Sequence, residues 1–189
     1  MDRPAAVILA GGLATRMGGG DKGLRPWRGG VLLDAVIARL APQAGVLALN
    51  ANGDPRRFAR FGLPVLPDPV PDHPGPLAGV LAALGWARAL GHGRVLTVPC
   101  DTPHLPADLA ARLAGADAGQ GAMATDAGGR LHPTVALWPV TLGPALGDYL
   151  AGGGRRLRLF AGQAGLAVAQ FPDAAPDPFA NINTPEELR

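Results

Sequence analysis

Val7-Ile8-Leu9-Ala10-Gly11-Gly12-Leu13-Ala14-Thr15-Arg16-Met17-Gly18-Gly19-Gly20-Asp21-Lys22 is the stretch from which the rest of the chain is read. It opens with four apolar residues, a run of the length expected for a buried strand. Two glycines then make a turn, and three more precede an Asp-Lys pair. Glycine permits positive φ and close backbone approach, so such a loop can aim several N–H groups at one anion. Arg16 and Lys22 add side-chain cations, and the expected guest is a phosphate-bearing ligand. The pattern is not G-x-x-x-x-G-K-[ST], because Asp21 separates Gly20 from Lys22, and it is not G-x-G-x-x-G. The competing reading is a plain glycine-rich surface loop. Against it, Lys22 is the only lysine in the chain, so the one compact ammonium falls inside this loop.

Outward from the loop, strand-like and helix-like runs alternate. Residues Ala5–Ala10 read as a first strand, and Leu32, Leu33, Val36, Ile37 and Leu40 recur at helical spacing before Pro42. Val46–Leu49 reads as a second strand, a brief helix with Phe58 and Phe61 follows, and Leu63–Leu66 reads as a third strand. The proline-rich segment 69–76 is an ordered turn. Leu77–Leu90 is a long apolar helix in which Gly79 permits close backbone contact, and Arg94–Val98 is a fourth strand running into Pro99-Cys100-Asp101-Thr102-Pro103. Further strands are expected at Gly121–Thr125, Leu131–Trp138 and Leu166–Gln170, with helices at Pro139–Leu150 and Arg155–Phe160. Thr184 with Glu187 makes a capping box, with Pro185 at the first helical position. Alternation of this kind means βαβ units and a mostly parallel sheet, whose ligands sit beyond the carboxyl ends of the strands. Gly11-Gly12, Asn50, Asp68 and Asp101 stand at or just after four such ends. That edge is the predicted site.

Composition narrows the function classes. The 189 residues suit one domain with a proper core, and no linker or internal repeat divides them. A net charge of +2 with no basic block argues against nucleic acid. A single cysteine, Cys100, excludes an internal disulfide and a cysteine-based zinc site. The N-terminus lacks the form of a signal peptide, and no apolar run approaches the ~20 residues that cross a bilayer. A cytoplasmic protein with no membrane association is expected.

Asp101 is the candidate metal ligand. Prolines at 99 and 103 stiffen its turn, and Mg²⁺ prefers one or two carboxylates together with phosphate oxygens and water. The alternative is an Asx-type turn that caps the next helix. Glycine amides, a lysine and Mg²⁺ supply the positioning and charge neutralisation that phosphoryl-type transfer needs. No Ser-His-Asp set or paired-carboxylate motif points to hydrolysis. His73, His92 and His104 read as loop residues, and His132 before Pro133 as a contact, not a zinc ligand.

The segments LAGGLATRMGGGDKGL (9–24), LNANGD (49–54), PDPVPDHPGPLAGVLAAL (67–84), VPCDTPHLP (98–106), HPTVALW (132–138) and NINTPEEL (181–188) together resemble the molybdenum cofactor guanylyltransferases, in the right order and over essentially the whole chain. The resemblance implies an α/β fold, a three-layer Rossmann-like nucleotidyltransferase whose mostly parallel sheet carries helices on both faces. It implies one domain over 1–189, with the nucleotide bound by the N-terminal part and the pterin by the C-terminal part. The implied reaction is transfer of GMP from GTP to molybdopterin with loss of pyrophosphate, Mg²⁺-dependent, with molybdoenzymes or their chaperones as further partners. Carried over by position, the nucleotide-binding residues are Leu9, Ala10, Gly11, Gly12, Gly19, Lys22, Asn50, Asp68, Gly75, Gly79 and Asp101. Arg16, Lys22 and Asp101 are the catalytic set, and Asp101 is the metal ligand. His132, Asn181 and Asn183 fall on the pterin side. Rival readings are a nucleotidyltransferase using CTP or a sugar phosphate, and a non-catalytic nucleotide-binding protein that delivers cofactor. The LAGG form, rather than LAAG, favours the guanylyl branch.

Overall fold

The computed structural model describes residues 3–11, 20–70 and 75–184. Nine strands and five α-helices follow one another as β1 (Ala5–Leu9), β2 (Pro26–Trp27), β3 (Gly30–Val31), α1 (Leu32–Leu40), β4 (Val46–Asn50), β5 (Val65–Leu66), α2 (Pro76–Ala89), β6 (Arg94–Pro99), α3 (Leu109–Ala116), β7 (Ala122–Thr125), β8 (Leu131–Pro139), α4 (Gly143–Ala151), α5 (Leu157–Gln163) and β9 (Ala167–Gln170). Seven strands form one sheet in the order β5-β4-β1-β6-β8-β7-β9, and β2 pairs with β3 as a separate hairpin. Within the large sheet only β8 opposes its neighbours. The expected mostly parallel α/β architecture is the one observed.

Each residue of β1 is buried, because the strand is covered on both faces. That is why AAVIL is continuously apolar instead of alternating. Its period-two geometry divides it between two cores. Ala6 and Ile8 join Leu33, Val36 and Leu40 of α1 and Leu109 and Leu113 of α3. Ala5, Val7 and Leu9 join Leu77, Val80 and Leu84 of α2, Leu146 of α4 and Phe160 of α5. Helices therefore cover both faces, as the resemblance implied.

Three expectations need correction. The third strand is two residues long, Val65–Leu66, instead of Leu63–Leu66. Pro64 has no N–H to give to a ladder, and only its carbonyl is used, accepting from Leu49 N at 2.9 Å. Helix α3 carries only two large apolar residues, Leu109 and Leu113, among small ones, too few for a helical period to stand out in the sequence. The β2–β3 hairpin was also missed, because two-residue strands carry no periodicity. The proposed capping box ends in residues 185–189, outside the described residues.

Register puts the strand tips side by side. Leu9 is level with Asn50 on one side and Pro99 on the other. Pairing continues past the strands: Ala10 N donates to Asn50 O at 2.8 Å, Cys100 N to Leu9 O at 3.1 Å, and Ala51 N to Leu66 O at 3.0 Å. Gly11, Asn50, Asp68 and Asp101 consequently lie along one edge. Because β8 is reversed, its starting residues Leu131 and His132 reach the same edge, level with Thr125 and Ala124 at the end of β7. The pairing shifts there, between Met123 and Ala124, and the bulge accommodates Pro133, which cannot donate to the ladder.

Candidate active site

At the centre of the edge, Lys22 Nζ pairs with Asp101 Oδ2 and donates to Asn183 Oδ1 at 2.5 Å. The three residues come from distant parts of the chain. Lys22 opens a short 3₁₀ turn after the glycine loop, and Asp101 follows β6. Asn183 is delivered by the closing segment, pinned where Ile182 N donates to Asp101 O at 2.9 Å. Ile182 also packs its side chain against Trp27 and Leu32, so the hairpin and α1 fix that segment from outside.

The second oxygen of Asp101, Oδ1, is buried and has no hydrogen-bond partner among the described residues. An orphan carboxylate oxygen out of water is costly unless a ligand or cation satisfies it. Among the described residues no group of three or more His, Cys, Asp and Glu could hold a metal. A cation here would take one carboxylate oxygen and draw its other ligands from phosphate and water. That donor set suits Mg²⁺. Next to it, burial and then the Asp101 charge push the Cys100 thiol up to about 12, so it stays protonated.

A second cluster sits beside β1. Asp68 accepts from Asn50 Nδ2 at 2.8 Å and from Asn52 Nδ2 at 2.7 Å, and its own N–H donates to Asn52 Oδ1 at 2.8 Å. Asn50 Nδ2 also donates to Leu66 O at 3.1 Å. The start of α2 closes over this cluster. Gly75, at φ +71°, provides the left-handed turn into the helix, and Pro76 occupies its first position. At Gly79 an added methyl would collide with Asn50 Oδ1 and lie 2.9 Å from Leu9 Cδ2. Only a bare backbone lets the helix come so near β1 and β4.

Farther along the edge, His132 Nε2 lies 3.3 Å from Asp126 Oδ2, and its ring lies 4.7 Å from that of Phe179. The Arg130 amide holds the Asp126 carboxyl below its ordinary range against desolvation, with His132 adding a smaller push in the same direction.

Of the residues singled out from sequence, Lys22, Asp101 and Asn183 are in direct contact. Leu9, Ala10, Gly11, Asn50, Asp68, Gly75 and Gly79 line the adjoining strand tips and helix start. His132 stands apart with Asp126, and Asn181 is exposed, its carbonyl accepting from Asn183 Nδ2 at 3.2 Å. Gly12, Arg16 and Gly19 lie outside the described residues. Sequence reading passed over Asn52, Asp21 and Arg57. The Asn-x-Asn spacing was a usable signal for Asn52, because residues two apart on an extended chain share a face.

Comparison with known proteins agrees with this fold. Residues 6–166 match the MobA-like NTP transferase domain. The chain is 51% identical to the molybdenum cofactor guanylyltransferase of Rhodopseudomonas palustris, over 99% of this chain and 92% of that protein. It is 50% identical to the one from Cereibacter sphaeroides, over 96% and 92%. The fold is similar to molybdopterin-guanine dinucleotide biosynthesis protein A from Archaeoglobus fulgidus, with TM-score 0.73 at 20% identity over 97% of this chain and 94% of that one. It is also similar to a nucleotidyl transferase from Methanothermobacter, with TM-score 0.72 at 20% identity over 99% and 94%. With half its residues shared along nearly its full length, the chain belongs to the molybdenum cofactor guanylyltransferase family of MobA-like NTP transferases.

Proposed function

We infer that this chain transfers GMP from GTP to molybdopterin, forming the guanine dinucleotide of the cofactor and pyrophosphate. The observation that carries the reading is the Lys22–Asp101–Asn183 cluster at the carboxyl edge, in a chain half identical to guanylyltransferases. A terminal phosphate oxygen of molybdopterin attacks the α-phosphorus of GTP, and the bond from that phosphorus to the β-phosphate oxygen breaks. No protein base is needed, since the attacking phosphate is already ionised near neutral pH. Lys22 and Arg16 neutralise charge on the departing pyrophosphate, and the amides of the glycine loop orient it. Asp101 would hold Mg²⁺, which when bound offsets phosphate charge. The orphan Oδ1 supports that assignment.

Asp68 is the acceptor we assign to the N1–H and N2–H₂ donors of guanine. Its two oxygens are fixed by Asn50 and Asn52 at the carboxyl edge of the sheet, beside the start of α2. The N-terminal part of the one domain thus takes the nucleotide. The pterin falls to the C-terminal part, with Asn181, Asn183 and His132 on that side. The reaction is cytoplasmic in this reading, and molybdoenzymes or their chaperones receive the product; among the described residues no helix is long and apolar enough to cross a membrane.

The test is pyrophosphate release with molybdopterin, Mg²⁺ and each of the four nucleoside triphosphates. GTP is expected to be used well above the rest. Lys22→Ala should cut turnover about 10²–10³-fold, as loss of one transition-state donor does, with little change in unfolding temperature. Preferred use of CTP, or unchanged release by Lys22→Ala, would overturn the reading.

A further inference from the structure

The mechanism above gives no part to Arg57, although its guanidinium joins the two halves of the site. Arg57 lies in the 3₁₀ segment Pro55–Phe61 that follows β4. Its Nε donates to Asp21 Oδ2 at 2.5 Å and its Nη2 to Asp21 Oδ1 at 3.2 Å, a two-pronged pairing with the residue immediately before Lys22. The same guanidinium donates to the Asn52 carbonyl, and through Nη1 to the Asp54 carbonyl at 2.6 Å. It also lies over the Phe58 ring, 4.6 Å from the centroid, and Phe58 is fully buried. Asn52 in turn holds Asp68. One side chain therefore ties the backbone leading to the phosphate lysine to the turn that carries the base-side cluster. The segment has its own stop and start: Asp54 Oδ1 caps it by accepting Arg56 N at 2.9 Å, and Gly62 ends it at φ +63°. Both partners are less than a third exposed, so water competes only in part for the pairing. Arg60, on the same segment, makes a more exposed pair with Asp34 and lies over the Phe61 ring, 5.0 Å from its centroid.

We propose that Arg57 is a positioning residue for GMP transfer: its fork holds Asp21, and hence Lys22, at a set distance from the Asn50–Asn52–Asp68 cluster that grips the base. This rests on the assignment of Lys22 and Asp68 given above. A planar fork is required for it, because a lysine at 57 could neutralise Asp21 but could not span its two oxygens and two carbonyls together. The effect should appear mainly in kcat, since the lysine it orients acts on charge that develops during transfer.

The experiment measures kcat, KM for GTP and the unfolding midpoint for the full chain and for Arg57→Ala, Arg57→Lys, Asp21→Asn, the double variant Arg57→Ala with Asp21→Asn, Arg60→Ala and Lys22→Ala. Arg57→Ala and Asp21→Asn should each lower kcat about tenfold, and the double variant no further than the worse single one. Arg57→Lys should stay closer to Arg57→Ala than to the parent, and Arg60→Ala should match the parent. If Arg57→Ala does not fold, Asp21→Asn decides, because it breaks the same pairing and keeps the shape of the side chain. A folded Arg57→Ala, or Asp21→Asn in its place, with kcat within about threefold of the parent overturns the proposal, even if its unfolding midpoint drops. So does full activity in Arg57→Lys, which would mean that charge alone suffices. Lys22→Ala separates the failures: if it too is fully active, the site assignment falls and the proposal with it.

Discussion

Gly79 and Asp101 show how single atoms decide what the site can hold. A methyl at 79 has nowhere to go, with Asn50 and Leu9 already in contact range of the helix backbone. Gly79→Ala should push α2 outward and disturb Asn50, raising KM for GTP about tenfold and costing about 1–3 kcal/mol of stability; titration with GTP and a denaturant melt check both effects. Asp101→Asn preserves shape but removes the charge that faces Lys22 and that the orphan Oδ1 carries. Turnover with saturating Mg²⁺ should fall at least about 10²-fold, while folding is retained, as circular dichroism would show.

Among the elements, β6 and β8 are joined by more than their ladder. Trp138 Nε1 donates to Thr97 Oγ1 at 2.9 Å, and that hydroxyl donates to Thr134 O at 3.0 Å, all within the sheet core. Thr97→Val keeps the volume but strands a buried indole N–H, so equilibrium unfolding should report a loss of about 1–3 kcal/mol with kcat nearly unchanged. The start of β6 has its own tie. Desolvation would raise the Asp117 carboxyl, but the Gly121 and Gly119 amides, each at 2.7 Å, and Arg94 together outweigh it and hold the group below its ordinary range. A lowered folded-state value means the stabilisation is complete above the unfolded carboxyl's pKa of about 3.9 and is lost as pH falls through the folded value. Acid unfolding of Asp117→Asn should accordingly be less steep in that window.

For the whole molecule, one sheet gathers six co-directional strands and a reversed β8, and the tips carrying Gly11, Asn50, Asp68, Asp101 and His132 fall on one rim. Among the described residues no group of three or more His, Cys, Asp and Glu could hold a metal, so a divalent cation at Asp101 would complete its shell with phosphate and water. Chelation of divalent cations should therefore abolish turnover and leave the unfolding temperature of the free protein unchanged. Adding Mg²⁺ with GTP at about 100 times its Kd should restore turnover and stabilise the protein by about 2.7 kcal/mol.

Apolar runs and glycine punctuation were enough to identify β1, β4, β6 and α2, since each is long and buried enough to leave a local pattern. The same reading placed Asn50, Asp68 and Asp101 on one edge, because residues at strand ends of a parallel sheet share an edge whatever the strand order. Helix α3, the β2–β3 hairpin and the shortened β5 were hidden, being too brief to show a period. Strand order, the direction of β8, the contact of Asn183 with Lys22 and the Arg57–Asp21 pairing were decided only in three dimensions. Those contacts join residues 36 to 161 positions apart. Local chain preferences carry no record of such partners, and only the packing of both cores around β1 brings them together.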